Sequence, residues 1–391
     1  MKRIALGLAG LLLAAGAQAQ VPAFQTTAPF AYMMSADTGA VLYDKNGTET
    51  MAPSSMAKMM TTYVVFDMIR KGTAKLTDQI TVSPETWRAW NNRGSTMFLS
   101  PNQSVSVEDL LHGVVTLSGN DACVVLGEGL AGTEQAFVDV MNQTARRLGM
   151  TGSHFTNTTG WPDEAQYVTA RDMAILGYRT IRDFPDLYRD FYGLSSYSHG
   201  QTMGGKPIVQ GNRNPLLYRV PGSDGLKTGH TEAGGYGLTG STLRNGQRLI
   251  IVLNGLTSMQ ERADESAKFM EWGLRTFQTV KLFRKGAIVE TAPVWLGAEK
   301  TVPLTVARDA AFTTSRVARS NMKVTVRYTG PIPAPIKAGQ HVADLVVAAP
   351  GQQPLTIPLV AARGVEKAGV FGRIMAGFRN TLFGTPAIEA K

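Results

Sequence analysis

Ser55 and Lys58 stand three residues apart in the run Ser55-Met56-Ala57-Lys58, just inside a helical pattern that Pro53 opens. On a helix, side chains three apart are neighbours, about 5–6 Å between Cβ atoms, so a proton can pass directly from the hydroxyl to the amine. A serine hydroxyl is a poor nucleophile until a base takes its proton. Lysine can be that base only when burial or a nearby cation lowers its pKa and leaves it neutral. The start of a helix also aims free N–H groups at negative charge developing on a substrate. This pairing suits nucleophilic catalysis through a covalent serine intermediate. The spacing alone is a weak signal, because a second copy, Ser320-Asn321-Met322-Lys323, runs into the alternating strand pattern Val324-Thr325-Val326 and lacks that setting. The first copy is accompanied by Ser118-Gly119-Asn120 and then by Lys227-Thr228-Gly229, in that order along the chain.

Other chemistries find less support. The five histidines, His112, His154, His199, His230 and His341, show no zinc-binding spacing, so neither a metal nor a cofactor is expected. Cys123 lies on an apolar helical stretch, where a lone cysteine reads as a small core residue. No Gly-x-Ser-x-Gly elbow is present, which argues against an α/β-hydrolase.

Several elements must hold these residues in place. Ala31 to Tyr43 reads as a hairpin around Asp37-Thr38-Gly39, so a sheet begins there. Met56, Met59, Met60, Tyr63 and Val64 repeat at helical spacing, and the pattern ends near Gly72, which predicts a buried helix carrying Lys58. Ser118 falls between the helical patterns Val107 to Val115 and Ala122 to Ala131. Further helices are predicted over Glu134 to Leu148, Ala170 to Arg182 and Arg262 to Thr276. Lys227 precedes the strand-like Gly237 to Leu243, and the run from Leu249 to Leu253 reads as a buried strand. Strands at both ends around helices predict one α/β domain. Beyond about Lys285 the pattern changes to short β-rich runs separated by Pro and Gly, which predicts a small all-β domain.

The chain has 391 residues, 43% of them hydrophobic and 18% charged, enough for two or three globular domains and unlike a disordered chain. Its net charge of +9 is spread thinly, which argues against nucleic acid and suits an anionic membrane surface or cell-wall polymer. Lys2 and Arg3, the apolar run Ile4 to Ala15 and then Ala17-Gln18-Ala19 read as a secretory signal cleaved after Ala19. With Cys123 as the single cysteine, the exported domains are expected to rely on their cores rather than on an internal disulfide. Near the C-terminus Val370, Phe371, Ile374, Met375, Phe378 and Leu382 share one helical face, with Lys367, Arg373 and Arg379 elsewhere. This pattern predicts an amphipathic helix lying on a membrane surface. The expected division is therefore a signal over 1–19, a catalytic domain over 20–285, a β domain over 286–362 and an anchoring tail over 363–391.

The three motifs resemble those of the penicillin-binding proteins and serine β-lactamases, which carry Ser-x-x-Lys, Ser-x-Asn and Lys-Thr-Gly. Ser118-Gly119-Asn120-Asp121-Ala122-Cys123, Gly225-Leu226-Lys227-Thr228-Gly229-His230-Thr231 and the stretch Asn157 to Met173 look most like the low-molecular-mass D-alanyl-D-alanine carboxypeptidases. The resemblance implies an antiparallel sheet flanked by helices with a helical lobe, followed by a small all-β sandwich and an amphipathic anchoring helix. It implies that Ser55 attacks the bond between the two terminal D-alanines of a peptidoglycan stem peptide, with Lys58 as base, and that β-lactams acylate the same serine. Ser118 and Lys227 would relay the proton to the leaving amine, with Lys227 charged and helping to keep Lys58 neutral. Asn120 would hold the substrate amide. The backbone N–H groups of Ser55 and His230, the latter on a sheet edge, would hold the oxyanion. Thr228, beside Gly229, would bind the terminal carboxylate, with Arg262 as a cationic partner or simply a helix-surface residue. By the same resemblance the enzyme works at the periplasmic face of the inner membrane. Trp161 and Ala57 stand where the family commonly has leucine and threonine, which bears on pocket shape. A D,D-endopeptidase or a β-lactamase shares the motifs, although Trp161-Pro162-Asp163-Glu164-Ala165 does not match the lactamase deacylation loop. A catalytically silent wall binder would lack groups that are all present here.

Overall fold

Two strands, β1 (Phe30–Ser35) and β2 (Val41–Lys45), pair antiparallel across the turn at Asp37-Thr38-Gly39, as the sequence predicts. A computed structural model describes residues 24–369 except Met203. The expected signal and the apolar face from Val370 to Leu382 lie outside the described residues. The chain divides into two units, residues 24–280 with 311–313, and residues 281–310 with 314–369.

In the first unit, β3 (Ser223–Thr231), β4 (Gly235–Arg244) and β5 (Gln247–Leu256) complete a five-stranded antiparallel sheet in the order β2-β1-β5-β4-β3. The strand carrying Lys227-Thr228-Gly229 is therefore an edge. Strand β5 explains its own unbroken apolar run, because both faces of the sheet are covered. Leu249, Ile251 and Leu253 face a cluster with Phe269, Met270 and Leu274 of helix α5 (Met259–Thr276), whereas Ile250 and Val252 join the larger cluster on the other face. Each side chain buried completely in this way contributes about 1.5–3 kcal/mol.

The larger cluster contains α1 (Lys58–Lys71), α2 (Asn120–Ala131), α3 (Glu134–Leu148) and α4 (Ala170–Asp183). Every residue of α1 from Lys58 to Asp67 is buried, so this helix runs through the interior and carries its lysine with it. It is entered through a 3₁₀ turn, Ser54–Ala57, and leaves through Gly72 in the left-handed conformation.

The second unit is built on a six-stranded sheet of β6 (Ile288–Trp295), β7 (Thr301–Val306), β8 (Lys323–Arg327), β9 (Ile332–Pro333), β10 (His341–Ala348) and β11 (Leu355–Ala361). Their order is β8-β10-β11-β7-β6-β9. Ala343, Leu345 and Val347, on one face of β10, are buried, and Val346 on the other face is buried as well. The backbone stays tied to this unit as far as Ala368, whose N–H donates to the Leu296 carbonyl at 2.9 Å. The second serine-lysine copy lies in this unit, with Ser320 exposed on a 3₁₀ turn and Lys323 exposed at the start of β8.

Candidate active site

Ser55 occupies the 3₁₀ turn before α1, half-buried, with its Oγ 3.0 Å from Lys58 Nζ. The turn is held by the close approach of two other segments. Gly160, at φ 80°, lies so near the Ser54 carbonyl that a Cβ would fall 1.8 Å from its oxygen. At Gly229 a Cβ would come within 3.0 Å of the Pro53 carbonyl. Glycine is needed at both positions because backbone packs directly on backbone there.

Lys58 is completely buried. Its Nζ also donates to Asn120 Oδ1 at 2.7 Å and to the Thr159 carbonyl. The orientation of the Asn120 amide is fixed by its Nδ2, which donates to the Arg93 carbonyl at 3.2 Å. Two of the lysine's protons therefore go to groups that can only accept, and the third position faces a hydroxyl that can either accept or donate. When charged, Lys58 donates to Ser55; when neutral, it turns a lone pair to the same oxygen and can take its proton. Burial lowers its pKa from 10.5 to about 8, with Arg213 adding to the shift and Asp121 opposing it.

The loop that supplies Thr159 is shaped by one side chain. Asn157 Oδ1 accepts from the N–H groups of Thr159, Gly160 and Trp161 at 3.2, 2.8 and 3.0 Å. Asn157 Nδ2 returns a bond to the Trp161 carbonyl at 3.0 Å. Ser118 is also in an unusual conformation, left-handed at φ 63° after the π-helical turn Gly113–Leu117. The buried Asp121 carboxylate accepts from the backbone N–H groups of Met97 and Leu99, which ties that segment to the first turn of α2.

Ser55, Ser118, Asn120, Thr228, Gly229, His230 and Arg262 line one cavity of about 330 Å³. Lys227 is buried on β3, and its Nζ donates only to the Thr228 carbonyl, at 3.0 Å, among the described residues. Burial pushes its pKa well below the usual lysine value, and the neighbouring charges of Lys58, Arg213 and Arg262 push it further. Burial thus holds both lysines below the usual lysine value. Lys58 has three hydrogen-bond partners and Lys227 one among the described residues.

Arg262 is buried and not a helix-surface residue; it lines the cavity and its Nε has no partner among the described residues. Desolvation lowers its pKa to about 10, so it remains charged near neutrality. Arg213, which sequence reasoning did not single out, lines the same cavity and donates to Ser95 Oγ. It sits in a loop between Asn212 and Asn214, where no periodicity or motif marks it. Cys123 is fully buried on α2 with its thiol directed to the Gly119 carbonyl, and burial pushes its pKa up to about 12, so it is a core residue.

A half-buried serine bonded to a buried lysine, beside a cationic cavity, suits acyl transfer on a substrate with a free carboxylate. Residues 15–257 match the family model for D-alanyl-D-alanine carboxypeptidase, and residues 277–367 match that for the C-terminal domain of penicillin-binding protein 5. The chain belongs to the D-alanyl-D-alanine carboxypeptidase family. Among its relatives in this family is the D-alanyl-D-alanine carboxypeptidase DacC of Escherichia coli (strain K12), 37% identical across 88% of this chain and 85% of that protein. The DacA enzyme of Haemophilus influenzae is 35% identical across 90% and 88%. The crystal structure of penicillin binding protein 5 from Haemophilus influenzae superposes with a TM-score of 0.83 at 34% identity, covering 89% of this carboxypeptidase and all of that chain.

Proposed function

We propose that this serine D-alanyl-D-alanine carboxypeptidase uses Ser55 as its nucleophile and Lys58 as the base that activates it. The observation that carries this reading is the direct contact between Ser55 Oγ and Lys58 Nζ, with the lysine's other two protons committed elsewhere. The substrate is a peptidoglycan stem pentapeptide, whose terminal carboxylate is taken by Thr228, Arg262 and Arg213 at the cationic end of the cavity. A carboxylate arriving there favours the charged form of the adjacent Lys227. The charge of Lys227 in turn opposes a proton on Lys58 and helps to keep the base neutral.

Ser55 Oγ then bonds to the carbonyl carbon of the penultimate alanine as its proton passes to Lys58. The oxyanion is held by the N–H groups of Ser55 and of His230 on the sheet edge, preorganised donors of the kind that contribute most to such reactions. Ser118 and Lys227 return a proton to the leaving nitrogen as the C–N bond breaks and D-alanine departs. Water attacks the acyl-enzyme, releasing the shortened peptide and restoring the Ser55 hydroxyl. Asn120 positions Lys58 first; the second N–H of its amide is the donor for the substrate's own amide carbonyl. A β-lactam enters the same path and acylates Ser55.

The decisive experiment incubates the purified protein with a stem pentapeptide and with a cross-linked peptide dimer, followed by mass analysis. Loss of one alanine from the pentapeptide with the dimer intact identifies carboxypeptidase action, and cleavage of the dimer identifies an endopeptidase instead.

Action on peptidoglycan is extracytoplasmic, and the tail is read as holding the enzyme to the periplasmic face of the inner membrane. No helix among the described residues is long and apolar enough to cross a membrane. The apolar face from Val370 to Leu382, with Arg373 and Arg379 off it, suits an interfacial helix drawn to anionic headgroups. Because backbone bonding to the β unit runs to Ala368, the chain is best stopped after Gly369 to test this. The shortened protein should fractionate with the soluble periplasm and still react with penicillin; retention on the membrane, or loss of penicillin binding, removes the anchor reading.

A further inference from the structure

The charge of the chain is divided unevenly between its two units. Residues 24–280 with 311–313 carry twenty-two lysines and arginines against twenty-four aspartates and glutamates, a net −2, whereas residues 281–310 with 314–369 carry twelve against five, a net +7. The excess therefore sits in the unit that holds no part of the Ser55–Lys58 site. Its carboxylates are mostly taken up locally: Glu299 pairs with Arg363 and Asp344 with His341, while Glu290 and Asp309 accept from the backbone N–H groups of Thr291 and Lys285.

Three of this unit's cations are gathered at one end of its sheet. The Gly286 N–H donates to the Val306 carbonyl at 3.0 Å and the Lys285 N–H to Asp309 Oδ1 at 2.7 Å, which lays the turn before β6 beside the turn after β7. Arg284, Lys285 and Arg308 meet there, all exposed, and none has a side-chain partner among the described residues. Like charges brought together repel, so the cluster complements an anion from outside. The tail leaves from the other end. Strand β6 runs from Ile288, beside the cluster, to Trp295, and the Ala368 N–H bonds to the carbonyl of Leu296 immediately after it. Seven steps of strand at about 3.3 Å each separate the two ends by roughly 23 Å. That is more than twice the Debye length of about 8 Å at physiological salt, so a bilayer that takes the tail where it leaves the unit does not neutralise the cluster from there. We propose that Arg284, Lys285 and Arg308 form a docking surface for the peptidoglycan strand itself, a polymer with carboxylates on its stem peptides, and hold the enzyme on its substrate independently of catalysis. The choice of occupant rests on the stem-peptide and tail readings above; the excess charge and its clustering do not.

The test measures how much penicillin-treated, full-length enzyme in neutral detergent sediments with isolated peptidoglycan sacculi, the treatment keeping active-site binding out of the result. Arg284→Gln/Lys285→Gln/Arg308→Gln should bind sacculi about tenfold more weakly at low salt, and the unaltered enzyme should lose its binding as salt is raised. Turnover of a soluble pentapeptide and penicillin labelling should be unchanged in this variant, which reports an intact fold. A matched variant, Arg88→Gln/Arg189→Gln/Lys206→Gln, removes as much charge from exposed positions of the first unit and should bind normally. Sacculi whose carboxylates have been converted to amides should retain none of these proteins. Undiminished binding by the first variant, an equal loss in the matched one, or full binding to amidated sacculi overturns the docking surface. So does a first variant that keeps its hold on sacculi but is released from anionic phospholipid vesicles, which assigns the cluster to lipid. Enzyme that docks as expected but frees no D-alanine from the pentapeptide refutes the carboxypeptidase reading alone.

Discussion

Ser55→Ala should give a folded protein that takes up no β-lactam and releases D-alanine about 10⁴-fold more slowly or worse, the scale seen when a catalytic nucleophile is removed. Folding should survive because Ser55 is half-buried and among the described residues its side chain makes a single hydrogen bond, to Lys58. The check is mass analysis of tryptic peptides after penicillin treatment. The adduct should lie on the peptide bearing Ser55, and Ser320→Ala should label normally, since Ser320 is exposed on a turn of the other unit. Undiminished labelling of Ser55→Ala, or an adduct on Ser118, would sink the assignment.

Lys58→Arg should lower acylation by about 10²- to 10⁴-fold, the usual contribution of a general base. Arginine keeps the positive charge but cannot give up a proton in the working range, so it separates the lysine's charge from its basicity. The same role fixes the pH dependence. The base must be neutral, and a lysine is neutral above its pKa; burial has brought that value down from 10.5 to about 8. Acylation measured as kcat/KM should therefore rise roughly tenfold per pH unit toward about 8 and level off above it, because this parameter reports the free enzyme. A profile flat from pH 6 to 9, or near-normal acylation by Lys58→Arg, would mean that another group takes the proton.

Much of the fold was legible because its signals are local. The periodic runs from Met56 to Val64 and from Glu134 to Leu148, and the unbroken β5 strand, each appear where the pattern places them. Less legible were elements without an apolar rhythm. The hairpin Ser196–Gln201 with Pro207–Gly211 is polar and Gly-rich and carries no usable alternation. The motif residues could be gathered from order and spacing, whereas Arg213 and Thr159 could not. One is a loop cation and the other acts through a backbone carbonyl, which any residue could supply. The number of acceptors around each amine, three for Lys58 and one for Lys227 among the described residues, was also beyond the sequence. For Arg262 the sequence left a cationic partner and a helix-surface residue both open, and its burial on α5 follows from packing that the sequence does not display.

Among the described residues the cavity is lined by Arg213 and Arg262 and by no carboxylate, and in the proposed reaction the substrate brings the counter-ion. In the peptide reaction that counter-ion leaves with the first product: cleavage frees D-alanine, and the negative charge diffuses away with it, returning the vacancy to water. In a penicillin the broken amide is part of a ring, so the leaving amine and its carboxylate remain tethered to the acyl group on Ser55. The arginine end then stays filled and the path of the incoming water stays crowded. The same lack of a resident anion that draws a stem peptide in and lets its fragment go thus gives an inhibitor a foothold that outlasts the bond it has lost.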